Sequence, residues 1–366
     1  NPEVVCEPPS GSLLPVGTTT VAVTATDASG NISECQFTVT INFSPIKTWG
    51  YNEQGQCNVP EGLANVVTIA GGGHHCLARQ SDGTIVAWGY NDYGQCNVPT
   101  EATNAIAVIA GFFHSLALTP DGTVLAWGYN DYGQCNVPAG LTDTVAIAAG
   151  THHSLALKSD GTVVAWGYND QGQCNVPENL TDVNVIAAGI YHSLALKSDG
   201  TVVAWGNNDQ GQCNVPENLV DVIAIAGGYL HSLALKSDGT VVAWGYNEQG
   251  QCNVPAGLTD IVAISGGVYY SLALKADGTV VAWGNNDQGQ CVVPVDLINA
   301  TSIAAGGYHC MALVEDAVED TTSPIIYGCD DQEVVAASPL GVRVGYLRRV
   351  ADNADPTPVV QYSPPS

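Results

Sequence analysis

One phrase of twelve residues recurs seven times along this chain, and its spacing never drifts. It reads WGYNDYGQCNVP at 88–99, and the tryptophan of each copy lies 39 residues after the previous one. The ladder residues are Trp49, Trp88, Trp127, Trp166, Trp205, Trp244 and Trp283, with Cys57, Cys96, Cys135, Cys174, Cys213, Cys252 and Cys291 in step. A fixed period in this range predicts a solenoid or a propeller. We interpret both ladders as architecture, because a catalytic residue is needed once rather than seven times.

Each repeat has the pattern of a small antiparallel sheet. In residues 139–177, TVAIAAG and HSLALK are followed by the turn SDG and the return strand TVVAWG, and helical periodicity is absent. Seven such sheets can bury their faces on one another by closing a ring. The sequence therefore predicts an all-β fold with a seven-bladed β-propeller over residues 45–318.

The seventh blade is divided between the two ends of the repeat region. HCMALV at 309–314 supplies one strand and PIKTWG at 45–50 supplies its partner, which predicts a velcro closure. Cys76 and Cys310 occupy a position that is serine in the five repeats between them, and closure makes their blades neighbours. We predict a Cys76–Cys310 disulfide, with two small buried thiols as the alternative. The seven ladder cysteines, odd in number and symmetrically spaced, are predicted to stay free.

The charge of the chain narrows the class of partner. Nine Lys and Arg stand against 35 Asp and Glu, a formal net charge of −26. Such a field repels phosphate backbones and anionic lipids, so we expect no nucleic acid partner. No run of about 18 apolar residues is present, so we also expect no membrane insertion.

The pattern AxAAGxxHSLALxxDGTVxAWGxNxxGQ resembles the repeat of the regulator of chromosome condensation superfamily. The resemblance covers about residues 46–314 and implies a seven-bladed β-propeller. That superfamily includes nuclear exchange factors for a small GTPase and secreted bacterial binders. The exchange and chromatin activities are not expected here, because they depend on inserted loops and basic surfaces that this acidic, nearly insertion-free ring lacks.

The two ends of the chain resemble halves of another module. Residues 1–44, with PPSGS, PVGTTTV and TDASGN, look like the C-terminal half of a hyalin repeat, an immunoglobulin-like extracellular adhesion module. Residues 319–366, with DNADPTP, look like its N-terminal half. The resemblance implies immunoglobulin-like half-domains, a Cys35–Cys329 disulfide across the completed module and an extracellular or cell-surface location.

Neither half is expected to be stable alone, because each leaves a sheet edge and half a core exposed. Three completions remain open. The chain is a segment of a longer tandem protein with neighbouring domains, or the halves pair within one chain, or other copies of the chain join head to tail into a fibre.

Two rings of ionisable residues raise the question of a metal. Histidine recurs at His75, His114, His153, His192, His231 and His309, but Tyr270 breaks the set and a structural hydrogen-bonding role is favoured. One loop acid per blade does not converge on a point, so the set Glu53, Asp92, Asp131, Asp170, Asp209, Glu248 and Asp287 is interpreted as a solvated face. We predict no metal, no cofactor and, since no catalytic constellation occurs once and only once, no enzyme activity.

The functional signal is sought where the repeats stop agreeing. The two residues between the Gly and the His of each unit vary and are rich in aromatics, although drift at exposed positions is an equally weighted explanation. The predicted protein-binding residues are Phe112, Phe113, His152, Ile190, Tyr191, Tyr229, Leu230, Tyr269 and Tyr308. A second variable position, tyrosine in five repeats but Asn207 and Asn285 in two, is expected to pack against the neighbouring loop.

These observations lead to one hypothesis and one rival. The hypothesis is an extracellular structural and adhesive protein, a repeating subunit of a surface protein or fibre whose propeller face is a binding platform. The rival is a soluble secreted binder, inhibitor-like, that acts on one protein target.

Overall fold

The computed structural model describes residues 3–9, 12–14, 17–26, 29–42 and 44–314, with three further strands at 325–327, 332–335 and 342–347. The chain divides into two compact units, Asn1–Ser44 together with Asp316–Ser366, and Pro45–Glu315. The first division coincides with the predicted boundary after residue 44. The second falls slightly before the predicted residue 318.

The regular structure of the described residues is β-strand, apart from one 3₁₀ turn at Thr100–Ala102. In chain order the strands are β1 Glu3–Glu7, β2 Ser12–Leu14, β3 Gly17–Thr26, β4 Ile32–Asn42, β5 Ile46–Gly50, β6 Val66–Gly71, β7 His75–Gln80, β8 Ile85–Gly89, β9 Ala107–Ala110, β10 His114–Leu118, β11 Val124–Gly128, β12 Thr144–Ala149, β13 His153–Lys158, β14 Val163–Gly167, β15 Val183–Ala188, β16 His192–Lys197, β17 Val202–Gly206, β18 Val222–Gly227, β19 His231–Lys236, β20 Val241–Gly245, β21 Ile261–Gly266, β22 Tyr270–Lys275, β23 Val280–Gly284, β24 Ala300–Ala305, β25 His309–Val314, β26 Ile325–Tyr327, β27 Gln332–Val335 and β28 Val342–Leu347. Within the described part of the chain, no helix is long and apolar enough to cross a membrane.

Each blade of the propeller is a three-stranded antiparallel sheet. Blade 1 is β6–β7–β8, blades 2 to 6 repeat this arrangement up to β21–β22–β23, and blade 7 is β24–β25–β5. In blade 3 the hairpin register pairs His153 with Gly167 and Leu157 with Val163, and Gly161 takes the positive φ (80°) that its turn requires. The middle strand is buried over nearly its whole length because blades pack on both of its faces. The alternation of HSLALK therefore does not mark a solvent-facing side.

The ring closes as the sequence predicts. β5 pairs with β25 in antiparallel register, Ile46 opposite Leu313 and Gly50 opposite His309. Ile46 and Leu313 share one buried cluster with Ile69 and Trp88 of blade 1, and the Gly307 amide donates to the Gly72 carbonyl at 2.9 Å. The velcro closure and the all-β, seven-bladed propeller are thus confirmed.

A repeated network of side chains joins adjacent blades. In one example the Gln95 carbonyl accepts from Trp127 Nε1 and from Ser115 Oγ, each at 2.9 Å, and Ser115 Oγ lies 3.0 Å from His75 Nε2 of the preceding blade. The Trp indole, the Ser hydroxyl and the His ring are all buried. Because the serine proton goes to the carbonyl, the imidazole is the donor in the His–Ser contact. The Trp and His ladders therefore hold the ring together.

The predicted Cys76–Cys310 disulfide is wrong for this structure, because both cysteines are buried free thiols. The Cys310 thiol donates to the Gln290 carbonyl at 3.2 Å, as serine does elsewhere, and Cys76 Sγ lies 3.1 Å from His309 Nε2. The network places an imidazole of the preceding blade next to Cys76 and next to each of the five serines, and Tyr270 takes that place before Cys310. The alternative of two small buried thiols describes the structure.

The ladder cysteines are free, as predicted, and close the loop that follows each tryptophan. The Cys96 amide donates to Asn91 Oδ1 at 2.7 Å, and its thiol donates to the Tyr90 carbonyl at 3.3 Å. Burial raises the pKa of the Cys96 thiol to about 11, so the reactive thiolate is scarce at neutral pH.

The terminal unit contains two sheets, ordered β1–β3–β4–β27 and β2–β28–β26. C-terminal strand β27 lies parallel to β4, and β28 lies antiparallel to β2, so strands from both ends of the chain pair within one molecule. Val21, Phe37 and Val39 form the buried part of β3 and β4. Cys35 is disulfide-bonded. Its predicted partner Cys329 lies outside the described residues, so that pairing stays a prediction, as does the immunoglobulin-like character of the ends.

Candidate protein-binding face

The loops between the first two strands of each blade and the loops after each tryptophan lie at the same end of the propeller, here called the loop face. The contact between them is a backbone hydrogen bond, for example from the Tyr129 amide to the Phe113 carbonyl at 3.0 Å. Gly128 makes this approach possible, since its φ is 102° and a Cβ there would lie 2.8 Å from the Phe113 oxygen. The invariant WG of the repeat thus holds the two variable positions side by side.

Aromatic rings form a continuous array on the part of the loop face that belongs to blade 7 and blades 1 to 3. The contacts run from His74 to Phe112 (5.7 Å between centroids), to Phe113 (4.7 Å) and to His152 (5.9 Å, stacked). We call this array the aromatic arc; its members are Tyr51, His74, Tyr90, Tyr93, Phe112, Phe113, Tyr129, Tyr132, His152, Tyr168 and Tyr308. Such edge-to-face and stacked pairs each add about 0.5–1.5 kcal/mol beyond area burial, so the arc is a rigid surface.

Two arc residues were missed by the sequence reasoning, and they are the most exposed. Tyr93 and Tyr132 are 45% and 46% exposed, and their rings lie 4.8 Å from Tyr129 and 5.0 Å from Tyr168. The equivalent residue is glutamine in the other five repeats. The signal was present in the phrase itself, as NDYGQ against NDQGQ and NEQGQ, at a position taken for part of the template.

The structure separates the predicted binding residues into groups. Phe112, Phe113, His152 and Tyr308 lie in the arc, whereas Tyr191, Tyr229 and Tyr269 form a second cluster with centroid distances of 5.9 and 5.1 Å. Ile190 borders the axial opening of the ring, and Leu230 lines a cleft beside Asn207. All nine are half-buried. Whether they bind a partner stays a prediction.

The second variable position controls a buried glutamine. Asn207 Nδ2 donates to Gln171 Oε1 in the loop before it, which confirms the expected packing of neighbouring loops, and Gln290 Nε2 donates to Asn285 Oδ1 at 2.8 Å. Where tyrosine replaces asparagine, the glutamine Nε2 has no hydrogen-bond partner in four repeats, at Gln56, Gln95, Gln173 and Gln251. The tyrosine therefore leaves this buried amide nitrogen without a hydrogen-bond partner in the protein.

Acidic residues lie at both ends of the propeller, whereas the basic residues are confined to one end. The seven loop acids predicted as a solvated face are all exposed on the loop face. The six basic residues of Pro45–Glu315 lie toward the opposite, hairpin end. Four lysines pair with hairpin aspartates, as Lys158 does with Asp160 at 3.3 Å, Lys47 pairs with Asp296, and Arg79 contacts the Ala105 carbonyl.

The six ladder histidines are fully buried, and burial is the largest cause of the low pKa of each, about 3 for His75, His114, His153, His192 and His309 and about 4 for His231. Their Nε2 atoms contact a Ser or Cys side chain of the next blade, as His114 does Ser154 at 2.9 Å. No group of three or more His, Cys, Asp or Glu among the described residues could hold a metal ion. The axial opening, about 70 Å³, is lined in the described chain by glycine, alanine, Phe112, Ile190 and Val268.

Comparison with known proteins agrees with this architecture. A family model described as the regulator of chromosome condensation (RCC1) repeat matches residues 66–95, 105–134, 145–173, 183–212, 222–251 and 261–290. A model of the HYR domain matches residues 2–41. None of the curated proteins matches the chain.

Three solved structures illustrate the likeness. Prp20p from Saccharomyces cerevisiae, studied for its binding to Gsp1p and histones, is 21% identical with a TM-score of 0.64, over 73% of this chain and 90% of its own. Human WBSCR16 is 20% identical with a TM-score of 0.62, over 74% and 100%. The ectodomain of the Physcomitrella patens receptor kinase CR4 is 21% identical with a TM-score of 0.57, over 67% and 70%. At this identity the likeness shows the fold alone.

Proposed function

We propose, from the premise that Pro45–Glu315 is a propeller of the regulator of chromosome condensation (RCC1) repeat family, that this protein is an extracellular, non-enzymatic binding protein with a structural and adhesive role. The loop face of the propeller is its binding platform. The HYR domain at residues 2–41 supports the extracellular setting.

The aromatic arc is the observation that carries the binding role. Repeats that are otherwise nearly identical differ there by carrying extra exposed tyrosines on two adjacent loops, Tyr93 and Tyr132, above a packed base of Phe113 and His152. Rigid aromatic groups that immobilise few rotatable bonds are favoured as anchors of protein interfaces. Prp20p, which has this fold, was studied for its binding to Gsp1p and histones, and the structure of CR4 is that of a receptor ectodomain. Both support a protein-binding role for the propeller of this chain.

Site-specific photocrosslinking tests this proposal. Benzoylphenylalanine placed at residue 93 or 132 of the full chain, applied to intact cells of the source organism, is expected to give discrete protein adducts. The same probe at Ser159, in a hairpin at the opposite end of a blade, is the matched control. Equal labelling from Ser159, or a lack of adducts from the arc, contradicts the proposal.

A second candidate is the fibre, in which completed hyalin-like modules join successive copies head to tail. The pairing of β27 with β4 and of β28 with β2 favours it, because strands that pair within one chain can be exchanged between copies. Light scattering and electron microscopy of native material decide whether these strands pair within one chain or between copies. Filaments or open oligomers support exchange, and monomers at all concentrations contradict it.

The soluble, inhibitor-like binder differs from an architectural protein in its dependence on the variable loop residues, because only the binder needs them to hold its target. Alanine at Phe112, Phe113 and Tyr191 is expected to abolish binding to one target in solution if the protein is a binder of that kind. An architectural spacer with these substitutions keeps its place in the assembly. Sedimentation velocity of each alanine variant, mixed with the partner that photocrosslinking has identified, measures how much complex still forms.

A further inference from the structure

Two clefts open on the loop face, two repeats apart. The first has a volume of about 390 Å³ and lies around Asn207. Tyr168, Tyr191 and Tyr229 form its aromatic walls, and Asp209 lies at its rim. Its aromatic rings and its carboxylate thus face one space.

The second cleft repeats this construction. It has a volume of about 460 Å³, lies around Asn285, and has Tyr51, Tyr269 and Tyr308 as walls with Asp287 at the rim. Asn285, Asp287 and Tyr269 are the repeat equivalents of Asn207, Asp209 and Tyr191. The asparagine, the aspartate and one tyrosine therefore occur at equivalent places in both clefts, and the second cleft is also lined by His74.

The cause of each cleft is one residue. Asn207 and Asn285 occupy the position at which the other five repeats have tyrosine. The shorter side chain leaves the space that a tyrosine ring fills elsewhere, while the neighbouring tyrosines of the variable pairs remain.

The floor of each cleft is an asparagine held by hydrogen bonds within the protein. Asn207 Nδ2 donates to Gln171 Oε1 at 2.9 Å and to Asp209 Oδ2 at 2.8 Å, and Asn207 Oδ1 accepts from Gln212 Nε2. Both amide hydrogens of the asparagine are thereby used within the protein. Asn285 makes the same contacts, including 2.8 Å to Asp287 Oδ2. The group left to bind a ligand is the rim carboxylate, which only accepts hydrogen bonds. A ligand that donates hydrogen bonds is therefore favoured.

The charge of the surroundings points to the same ligand. Asp209 and Asp287 have no basic partner among the described residues, and every lysine and arginine of the propeller lies toward the hairpin end. Arginine and lysine side chains donate without accepting, carry positive charge and stack on tyrosine faces. A carboxylate beside aromatic walls is complementary to both features.

We propose that the two clefts are a pair of sockets for arginine or lysine side chains of a protein partner. The proposal rests on the proposed function in that the partner is a protein, and it specifies a basic one. Two sockets held on one rigid ring select partners whose two cations match their separation, because the second contact is then intramolecular.

Nuclear magnetic resonance of the full chain tests each socket separately. The side-chain amide signals of Asn207 and Asn285 are assigned by their disappearance in Asn207→Tyr and Asn285→Tyr, which carry the residue of the other repeats. Titration with Nα-acetyl-arginine amide is expected to shift both signals with saturation. Nα-acetyl-citrulline amide, similar in shape but uncharged, is expected to shift neither.

Charge removal at one cleft uses the other as its control. Asp209→Asn is expected to weaken binding at Asn207 roughly tenfold and to leave Asn285 unchanged. Asp92→Asn removes an equal charge from the same face outside either cleft and should change neither. Equal binding of citrulline, or equal weakening by Asp92→Asn, overturns the sockets. Arc photocrosslinks are unaffected by that result, so failure here is distinct from failure of the binding role.

Discussion

The two sides of the loop face differ although the same repeat builds both. Blade 7 and blades 1 to 3 carry the aromatic arc, in which tyrosines fill the space between loops and leave Gln95 Nε2 without a partner in the protein. The side around Asn207 and Asn285 has open clefts, in which the equivalent glutamines donate to asparagine. A single exchange between Tyr and Asn converts a filled, rigid surface into an open one, beside a loop acid that every repeat carries. The face is thus set by a few positions on a constant framework.

The largest expected effect is on stability: lowering the pH should reduce the free energy of unfolding of the whole ring, and so affect both sides at once. The folded-state pKa of His153 is about 3 against 6.5 for an unfolded imidazole, so the unfolded chain binds more protons below pH 6.5 and stability falls with pH. Each such histidine costs about 2 kcal/mol between pH 6.5 and 5. Six of them approach a whole domain's stability of roughly 5–15 kcal/mol. Tryptophan fluorescence should show one cooperative transition as the pH falls through this window.

A histidine-free slot supplies the control for this acid effect. Tyr270 donates to the Gly306 carbonyl at 3.1 Å and precedes a blade with Cys310. His309 likewise precedes a blade with a cysteine, so His309→Tyr copies an arrangement that the chain already has. In this variant the slope of the free energy of unfolding against pH should be smaller by the equivalent of about one bound proton. A fold that survives unchanged to pH 3.5 would contradict the buried histidine framework.

The WG glycine should matter equally under both sides. Gly128→Ala beneath the arc and Gly206→Ala beneath a cleft each place a Cβ 2.8 Å from a carbonyl oxygen at a φ above 100°. We expect each to lower the free energy of unfolding by about 2–3 kcal/mol in denaturant titrations. Gly140→Ala has a positive φ but nothing within 4 Å, so it should cost only about 1 kcal/mol. Unequal costs at Gly128 and Gly206 would mean that the two sides do not share one framework.

The cleft floor should respond to loss of its asparagine. Asn207→Ala leaves the buried Gln212 Nε2 without an acceptor, as tyrosine does in other repeats, but without a ring to fill the space. The expected loss is about 2 kcal/mol in the free energy of unfolding. Gln212→Met combined with Asn207→Ala removes the unpaired amide, so the double variant should lose less than the sum. Additive losses would show that the two side chains are not coupled.

The smallest effect on stability is expected at the exposed tyrosines. Tyr93→Gln and Tyr132→Gln install the residue of the other five repeats, and each should cost under about 1 kcal/mol because the rings are almost half exposed. Adducts from a benzoylphenylalanine at Phe113 should nevertheless decline strongly if the arc binds a partner. Gln171→Tyr, the reverse exchange, tests whether the arc can be extended. Unchanged adducts when Tyr93→Gln and Tyr132→Gln are combined would show that these tyrosines are not part of the interface.

Much of the fold followed from the repeat. The period of Trp88 to Trp127 and the divided seventh blade required a ring, because each sheet buries its face only on a neighbour. The Cys76–Cys310 pairing failed because proximity of blades does not specify which way two side chains point, and each thiol donates to the carbonyl of its own loop glutamine, Gln56 or Gln290. Tyr93 and Tyr132 were overlooked because they belong to a phrase treated as constant.

The sequence by itself determined the architecture, since hydrophobic period, turn residues and a matching pair of ends are local properties that one fold satisfies. It also determined which positions vary. Only the tertiary structure decided that Tyr93 reaches Tyr129 of the next loop, that Asn207 accepts a hydrogen bond from the buried Gln212, and that the basic residues lie toward the hairpin end. Those outcomes depend on contacts between residues far apart in the chain, and on the volume that a side chain leaves when it is shorter than its equivalents.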